Sequence, residues 1–183
     1  MMEDNREIEE IILTCQNADL YKGTQITRWS TRNYIKSEND CEHQNIVTQI
    51  VIILLQIFKD KIDVRTERDS LGLASIHDMF EYTEGGIGDI PHHIKEKSPE
   101  FKKIVEEHEY ETILNKPYFG NAYYEYSSNP IANKIVNLAD TLDVILYIDR
   151  EFDLGNQDKD FKEIYPLALE RAQKRLQQLK EEL

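Results

Sequence analysis

A buried helix is predicted by residues 39–58, which read NDCEHQNIVTQIVIILLQIF. The stretch begins with Asn39, and Glu42 follows three residues later, which is the pattern of a capping box at a helix N-terminus. Apolar residues then recur at helical spacing over a wide face: Ile46, Val47, Ile50, Val51, Leu54, Leu55 and Phe58. A helix that is apolar nearly all round is expected inside a fold, so we place this one at the centre of the protein.

Further helices are predicted on both sides of the central one. Apolar spacing predicts an N-terminal helix around Ile8–Cys15 and another that contains Leu71 to Phe80, with Thr66 and Asp69 at its start. Two signals of a capping residue followed by proline predict helices over residues 98–114 and 129–152.

The remaining stretches carry weaker patterns. Residues 19–36 and the aromatic segment 116–128 are interpreted as loops, and a charged segment with a thin leucine stripe predicts a surface helix over about 158–183. No alternating strand pattern occurs in the sequence. We therefore predict an all-α fold, a single-domain bundle of about six helices over residues 1–183 with its core at about 20–152.

The charge of the chain limits its partners. The sequence has 22 Lys and Arg residues against 35 Asp and Glu residues, which gives a net charge of −13. Nucleic-acid polymers and anionic membrane surfaces are bound by excess basic residues, so we expect neither as a partner. A mononucleotide stays possible, because a bound cation and a few basic side chains can make a small positive pocket in an acidic protein.

A cytoplasmic location is predicted from three features. The two cysteines, Cys15 and Cys41, are too few for a disulfide framework. The first ten residues are acidic, unlike a signal peptide. The longest apolar run, Ile50–Leu55, is far shorter than the roughly 20 residues that a membrane span needs.

Four polar residues stand out against their apolar surroundings: His43, His77, Asp78 and Asp140. A buried carboxylate is costly unless it is paired or binds a metal. Two imidazoles with two carboxylates suit zinc, manganese, iron or cobalt better than a thiolate site would. The alternative is that these residues are structural, for example with Asp140 paired to Lys134 or Asn137.

The residues around these four resemble a known family. The chain contains an Arg-Trp pair, a His-Asp pair with Glu three residues after the Asp, a Gly-Asp-x-Pro turn with a Lys beyond it, and a late Ala-Asp on a helix. These elements are Arg28-Trp29, His43, His77-Asp78, Glu81, Gly88-Asp89-Ile90-Pro91, Lys95 and Ala139-Asp140. In this order and spacing, over residues 20–152, they resemble the HD-domain phosphohydrolases and, within them, the YfbR-like 5'-deoxynucleotidases.

The resemblance implies a role for each of these residues. It implies that one divalent metal (Mn, Co, Zn, Fe or Mg) is held by His43, His77, Asp78 and Asp140. It also implies that Glu81 orients water or moves a proton, and that Asp89 contacts the sugar or assists in proton transfer. Arg28 and Lys95 are implied to bind phosphate, and Trp29 to lie against the sugar and leave no room for a 2'-hydroxyl. Core packing is the alternative interpretation of the single tryptophan.

The predicted function is metal-dependent hydrolysis of deoxyribonucleotides, with release of phosphate from 2'-deoxynucleoside 5'-monophosphates. The resemblance also implies a homodimer or higher homo-oligomer. The first alternative is a dNTP triphosphohydrolase, and the second is a non-catalytic sensor that binds metal or nucleotide. Hydrolysis of alarmone-type nucleotides is less favoured, because Met79-Phe80-Glu81 follows the His-Asp pair where an acidic pair would be expected.

Two departures from the family pattern affect the substrate. The glycine-containing loop Tyr82–Gly88 is longer than expected, and Asn137 occupies a position where relatives often carry a lysine. With only Arg28 and Lys95 as identified phosphate-binding cations, the sequence favours a monophosphate over a triphosphate.

Overall fold

A computed structural model of the chain describes residues 22–82, Ile90 and residues 98–183. The predicted N-terminal helix around Ile8–Cys15 and the glycine-containing loop lie outside the described residues. Within the described part there is no β-strand beyond one isolated bridge between Thr27 and Asn39. The predicted all-α fold is therefore confirmed.

The described part contains six helices of 11 to 24 residues and one helical turn. A short 3₁₀ turn, Lys22–Gln25, precedes them. The helices are α1 (Asp40–Ile57), α2 (Val64–Ala74), the single turn α3 (Met79–Tyr82), α4 (Pro99–Leu114), α5 (Pro117–Ser127), α6 (Pro130–Asp153) and α7 (Lys159–Glu182). None of the helices in residues 22–82 and 98–183 combines the length and the apolarity needed to cross a lipid bilayer.

Most predicted helix starts are confirmed. The side chain of Asn39 accepts a hydrogen bond from the Glu42 backbone N–H at 3.0 Å, and the Glu42 carboxylate accepts one from the Asn39 N–H at 3.2 Å, which completes the capping box. Ser98 caps α4 and Asn129 caps α6, each followed by a proline in the first turn. The predicted start at Thr66 is wrong, because Asp63 caps α2 and accepts the Thr66 N–H at 2.7 Å.

The core lies between α1, α2, α6 and α7. Its buried members include Val47, Val51, Leu54, Leu73, Ile135, Leu138, Ala172 and Leu179. The expectation that α1 is buried all round is wrong, since Ile53 and Ile57 are 57% and 64% exposed on its outer side. Helix α7 has a buried side that carries Phe161, Ala168, Ala172 and Leu179, and it packs along α6.

The aromatic segment 116–128 is a helix, so the loop prediction is wrong. Phe119, Tyr123 and Tyr126 of α5 recur on one face and pack around Ile76 and Met79. Tyr126 also lies so close to Gly72 that a Cβ added to Gly72 would come within 2.4 Å of the ring. Weak helix propensity of aromatic residues is overridden here by burial of the rings against neighbouring helices.

A buried carboxylate holds the segment before α1 against α6. Glu151 accepts hydrogen bonds from the backbone N–H groups of Ile35 and Lys36 at 2.6 and 2.9 Å, and from the Asn156 amide at 2.7 Å. Tyr147 adds a hydrogen bond from its hydroxyl to the Lys36 carbonyl at 2.9 Å. These contacts position the segment that carries the Arg-Trp pair.

Glu151→Gln is expected to loosen this attachment, because the new amide directs N–H groups toward donors that need an acceptor. We expect the free energy of unfolding at pH 7 to fall by about 1–3 kcal/mol, the usual cost of leaving buried polar groups unpaired. Burial alone would raise the pKa of Glu151, but the hydrogen bonds from Ile35, Asn156 and Lys36 lower it below the ordinary 4.5. A carboxyl whose pKa is lower in the folded protein stabilises the fold above its unfolded pKa and stops doing so as pH falls. The difference in free energy of unfolding between the wild type and the variant should therefore shrink below about pH 4.5.

Urea unfolding at several pH values measures this difference. Glu163→Gln is the matched control, since the Glu163 side chain is 61% exposed and pairs with Lys159 one turn away. An exposed pair of this kind contributes about 0–1 kcal/mol. Equal stability of the two variants at pH 7 would contradict the anchoring role of Glu151.

Candidate metal centre

Two histidines direct their Nε2 atoms at the same point. The Nδ1 atom of His43 lies 2.6 Å from Asp143 Oδ2, and the Nδ1 atom of His77 lies 2.8 Å from the Ala74 carbonyl oxygen. Each acceptor therefore places a proton on Nδ1, so that in the neutral ring the lone pair is on Nε2. The two Nε2 atoms are 3.3 Å apart.

His77 and Asp78 reach this point because the chain leaves the helix before them. They lie in the turn between α2 and α3, so the prediction that they sit inside one continuous helix is wrong. The turn exposes the Ala74 carbonyl oxygen to the His77 ring. It also brings the Asp78 carboxylate to the same side as both histidines.

Two carboxylates complete the group. Asp78 Oδ2 lies 3.1 Å from His43 Nε2 and 3.3 Å from His77 Nε2, and Asp140 Oδ1 lies 3.5 Å from His43 Nε2. The ligand atoms of His43, His77 and Asp140 are all within 4.8 Å of one another. The structure thus brings together the four residues that the sequence singled out as metal ligands.

The spacing of these atoms fits a single small ion. Two ligands bound at about 2.0–2.1 Å to one tetrahedral ion lie about 3.3 Å apart. His43 Nε2 lies 3.1 to 3.5 Å from ligand atoms of His77, Asp78 and Asp140, and Asp78 Oδ2 lies 3.3 Å from His77 Nε2, which is close to this value. A cluster of histidines and carboxylates at this spacing has the donor set and the size for a divalent metal.

Negative charge dominates around His43. Burial and Arg28 lower the pKa of His43, but hydrogen bonds with Asp143 and Asp78 outweigh them and raise it to about 10. Burial would raise the pKa of Asp78, yet the two histidines and Arg28 hold it well below its usual range. The pocket therefore attracts positive charge, which a divalent cation can supply in place of a proton.

Asp143 is a site residue that the sequence analysis missed. It is 2% exposed and lies one helical turn after Asp140 on α6, so both carboxylates face His43. The three-residue spacing between Asp140 and Asp143 was the sequence signal that could have indicated it. Glu38 lies beside this pair, and burial together with Asp143 raises its pKa to about 7. Glu38, His43 and Asp143 form a second group of possible metal ligands. His43 Nδ1 and Asp143 Oδ2 are directly hydrogen bonded at 2.6 Å, which leaves no space for an ion between them.

Arg28 lies at the edge of the four-residue group. Its Nη1 is 3.4 Å from Asp78 Oδ2 and its Nε is 3.7 Å from Glu38 Oε2. The backbone sets this position, because the Arg28 N–H donates to the Glu38 carbonyl at 2.9 Å just before α1 begins. A guanidinium so close to the candidate ligands is well placed for a phosphate.

Trp29 packs in the core and also borders the cavity. Its ring stacks on Tyr147 with centroids 4.9 Å apart and packs edge-on against Phe161, so it belongs to the core. It also lines the cavity next to Arg28. Its backbone φ of 59° is rare for a bulky side chain, and such strained positions cluster at functional sites.

A cavity of about 570 Å³ is lined by His77, Asp78 and Asp140, and His43 lies buried behind them. This volume is in the range of small-ligand sites. Glu81 lines it from α3, is 6% exposed, and follows Asp78 by three residues. Asp89, Lys95 and the Gly-Asp-x-Pro turn lie outside the described residues except for Ile90, which also lines the cavity.

Three arginines beyond Arg28 line the same cavity. They are Arg32, Arg171 and Arg175. Arg175 Nη1 lies 3.8 Å from Asp140 Oδ2 and bonds the Asn137 carbonyl and the Thr141 hydroxyl. Lys134 instead pairs with Glu182, so the alternative pairing with Asp140 is not the arrangement observed. Arg171 and Arg175 could not be assigned to the site from the sequence, because their helix is remote in sequence from the other site residues.

Solved structures of HD-domain phosphohydrolases resemble this chain. The cyanophage S-2L HD phosphohydrolase DatZ, solved with dA and one catalytic Zn²⁺ ion, matches at a TM-score of 0.67 and 19% identity over 87% of this chain and 83% of its own. An HD-domain phosphohydrolase from Listeria innocua matches at a TM-score of 0.67 and 21% identity, over 88% of this chain and 78% of its own. A Pyrococcus horikoshii protein matches at a TM-score of 0.64 and 25% identity, over 94% of this chain and 96% of its own.

The sequence comparisons add the family. No curated protein matches the chain at a significant level. The sequence profile of the YfbR-like 5'-deoxynucleotidases, however, matches residues 18–182, which is nearly the whole chain and includes every residue of the candidate centre. The chain therefore belongs to the YfbR-like 5'-deoxynucleotidase family.

Proposed function

We propose that this protein is a metal-dependent phosphohydrolase that releases phosphate from 2'-deoxynucleoside 5'-monophosphates. The observation that carries the proposal is the convergence of two histidine Nε2 atoms and two carboxylates, with Arg28 beside them, next to a cavity that His77, Asp78 and Asp140 line. Family membership supports the reaction class, and the related phage protein that binds dA and one Zn²⁺ supports a deoxynucleotide and a single ion.

The four converging side chains would hold the metal. His43, His77, Asp78 and Asp140 supply nitrogen and oxygen donors that suit Zn, Mn, Co or Fe, with Mg also possible. A divalent ion bound there would supply Lewis-acid activation of phosphate and water. Asp143 would keep the His43 ring in its orientation through the Nδ1 hydrogen bond.

The chain's own residues would position the substrate. Arg28 would donate to the phosphate from the edge of the centre, and Trp29 would lie against the sugar and exclude a 2'-hydroxyl by its bulk. Glu81, on the turn that follows Asp78, would orient water or move a proton. Asp89 and Lys95 keep their proposed roles at the sugar and the phosphate on the grounds of the sequence motif. A single domain and a homodimer remain part of the proposal.

A dNTP triphosphohydrolase is the second candidate, and the arginines favour it. Two phosphate-binding cations are identified in the sequence, whereas the described lining holds four arginines beside the carboxylates of Asp78, Glu81 and Asp140. One of the four, Arg32, is paired with Asp160 at 2.6 Å. A triphosphate brings about four negative charges, and the added arginines would offset part of them. Charge alone therefore no longer excludes the longer substrate.

A nucleotide panel tests the proposed function. The metal-stripped protein, reloaded with Mn²⁺, Co²⁺ or Zn²⁺, is assayed against dNMP, rNMP and dNTP substrates with product identification. We expect inorganic phosphate from dNMPs to form fastest and rNMPs to react more slowly. Faster release of tripolyphosphate from a dNTP would select the second candidate. No release from any nucleotide with any metal would indicate a non-catalytic binding protein.

Asp78→Ala tests the metal assignment. Removal of this carboxylate is expected to abolish metal binding and turnover together, because Asp78 contacts both histidines at the centre. Elemental analysis after purification measures the metal, and Asp153→Ala at the exposed end of α6 is the matched control. Equal metal content in the Asp78 and Asp153 variants would overturn the site.

Glu81→Gln separates catalysis from metal binding. The variant keeps the shape of the side chain but removes its ability to carry a proton. We expect normal metal content and a loss of about 10²- to 10⁴-fold in turnover, the usual range for a general acid or base. Elemental analysis and steady-state kinetics measure the two effects, and a near-normal rate would reduce Glu81 to a structural acid.

A further inference from the structure

Helix α7 contributes two arginines to the cavity above the candidate metal centre. Arg171 and Arg175 lie four residues apart and therefore face the same side of the helix, one turn from each other. The same side buries Ala168 and Ala172 against the core, which fixes the helix against α6. The position of both guanidinium groups over the cavity thus follows from the packing of α7.

Arg175 is held beside a candidate metal ligand. Its side chain is 27% exposed, its Nη1 lies 3.8 Å from Asp140 Oδ2, and it bonds the Asn137 carbonyl and the Thr141 hydroxyl on α6. A partly buried arginine needs an anion nearby. In the described part of the chain, Asp140 is the only carboxylate paired with it.

Asp140 directs Oδ1 toward His43 and Oδ2 toward Arg175, so one negative charge would be shared between a bound metal ion and Arg175. If the carboxylate binds a divalent cation, its negative charge is committed, and Arg175 then faces a cation across a few ångströms. The two arginines also repel each other, because like charges one helical turn apart are destabilising. Three positive groups around one cavity are stable together when an anion lies between them.

We propose that Arg171 and Arg175 form an anion site that binds the phosphate of the substrate on the Asp140 side of the cavity. The inference rests on the proposed function, since it assumes a phosphate ester in this cavity. Arg28 lies beside Asp78 and Arg175 beside Asp140, so Arg28 and the two α7 arginines would hold the phosphate next to different ligands of the centre. The forked donors of arginine match phosphate oxygens in this role.

Phosphate affinity and steady-state kinetics test the site. Arg171→Ala and Arg175→Ala are compared with Lys174→Ala, which removes an exposed positive charge from the same helix outside the cavity lining. Calorimetry with inorganic phosphate is run on the metal-free and the metal-loaded protein. We expect Arg175→Ala to weaken phosphate binding by about 10- to 100-fold in the loaded protein, the range for hydrogen bonds to a charged group. Arg171→Ala should weaken it by a smaller factor, and Lys174→Ala should not change it.

The same variants should raise KM for the dNMP while their metal content stays at the wild-type level. Arg175→Lys should restore part of the affinity, because it keeps the charge but not the fork. Should Arg175→Ala fail to fold, the exposed Arg171 decides the question. The site would be overturned if Arg171→Ala and Arg175→Ala both had the same phosphate affinity and the same KM as Lys174→Ala. A wild-type protein inactive on every nucleotide would instead refute the proposed function, while the phosphate titration still tests the arginines.

Discussion

The hydrogen bond between His43 and Asp143 joins the fold to the candidate centre. His43 is fully buried in the first turn of α1, and its Nδ1 lies 2.6 Å from the Asp143 carboxylate on α6. A buried imidazole and a buried carboxylate are costly apart and acceptable as a pair. The pair favours the observed register of α1 against α6, and in that register His43 Nε2 lies 3.5 Å from Asp140 Oδ1.

The other half of the centre depends on an interruption of helical structure. Between α2 and α3 the chain makes a turn, and the carbonyl oxygen of Ala74 is free to accept the His77 ring nitrogen. In an unbroken helix, the Cα–Cβ bonds of His77 and Asp78 would point about 100° apart, whereas the turn brings both side chains to His43. The packing of Ile76 and Met79 against α5 holds the turn in place.

Local signals in the sequence predicted local features well. The capping box at Asn39 and the proline starts of α4 and α6 are confirmed, because a capping side chain bonds to backbone only two or three residues away. The aromatic helix α5 was missed, since its formation depends on rings that pack against α2 and α4. The exposed side of α1 was missed for the same reason, because the periodicity of a helix does not show which neighbours it has.

The sequence by itself determined the all-α class, most of the helix boundaries, and which histidines and aspartates are unusual among apolar neighbours. Each of these is a property of residues within about one helical turn. Only the tertiary structure decided that His43 Nε2 lies 3.1 to 3.5 Å from ligand atoms of His77, Asp78 and Asp140, that Asp143 orients His43, and that the arginines of α7 line the same cavity. The contacts of His43 join residues 34 to 100 positions apart, and they are set by how the buried faces of the helices pack, which no local pattern encodes.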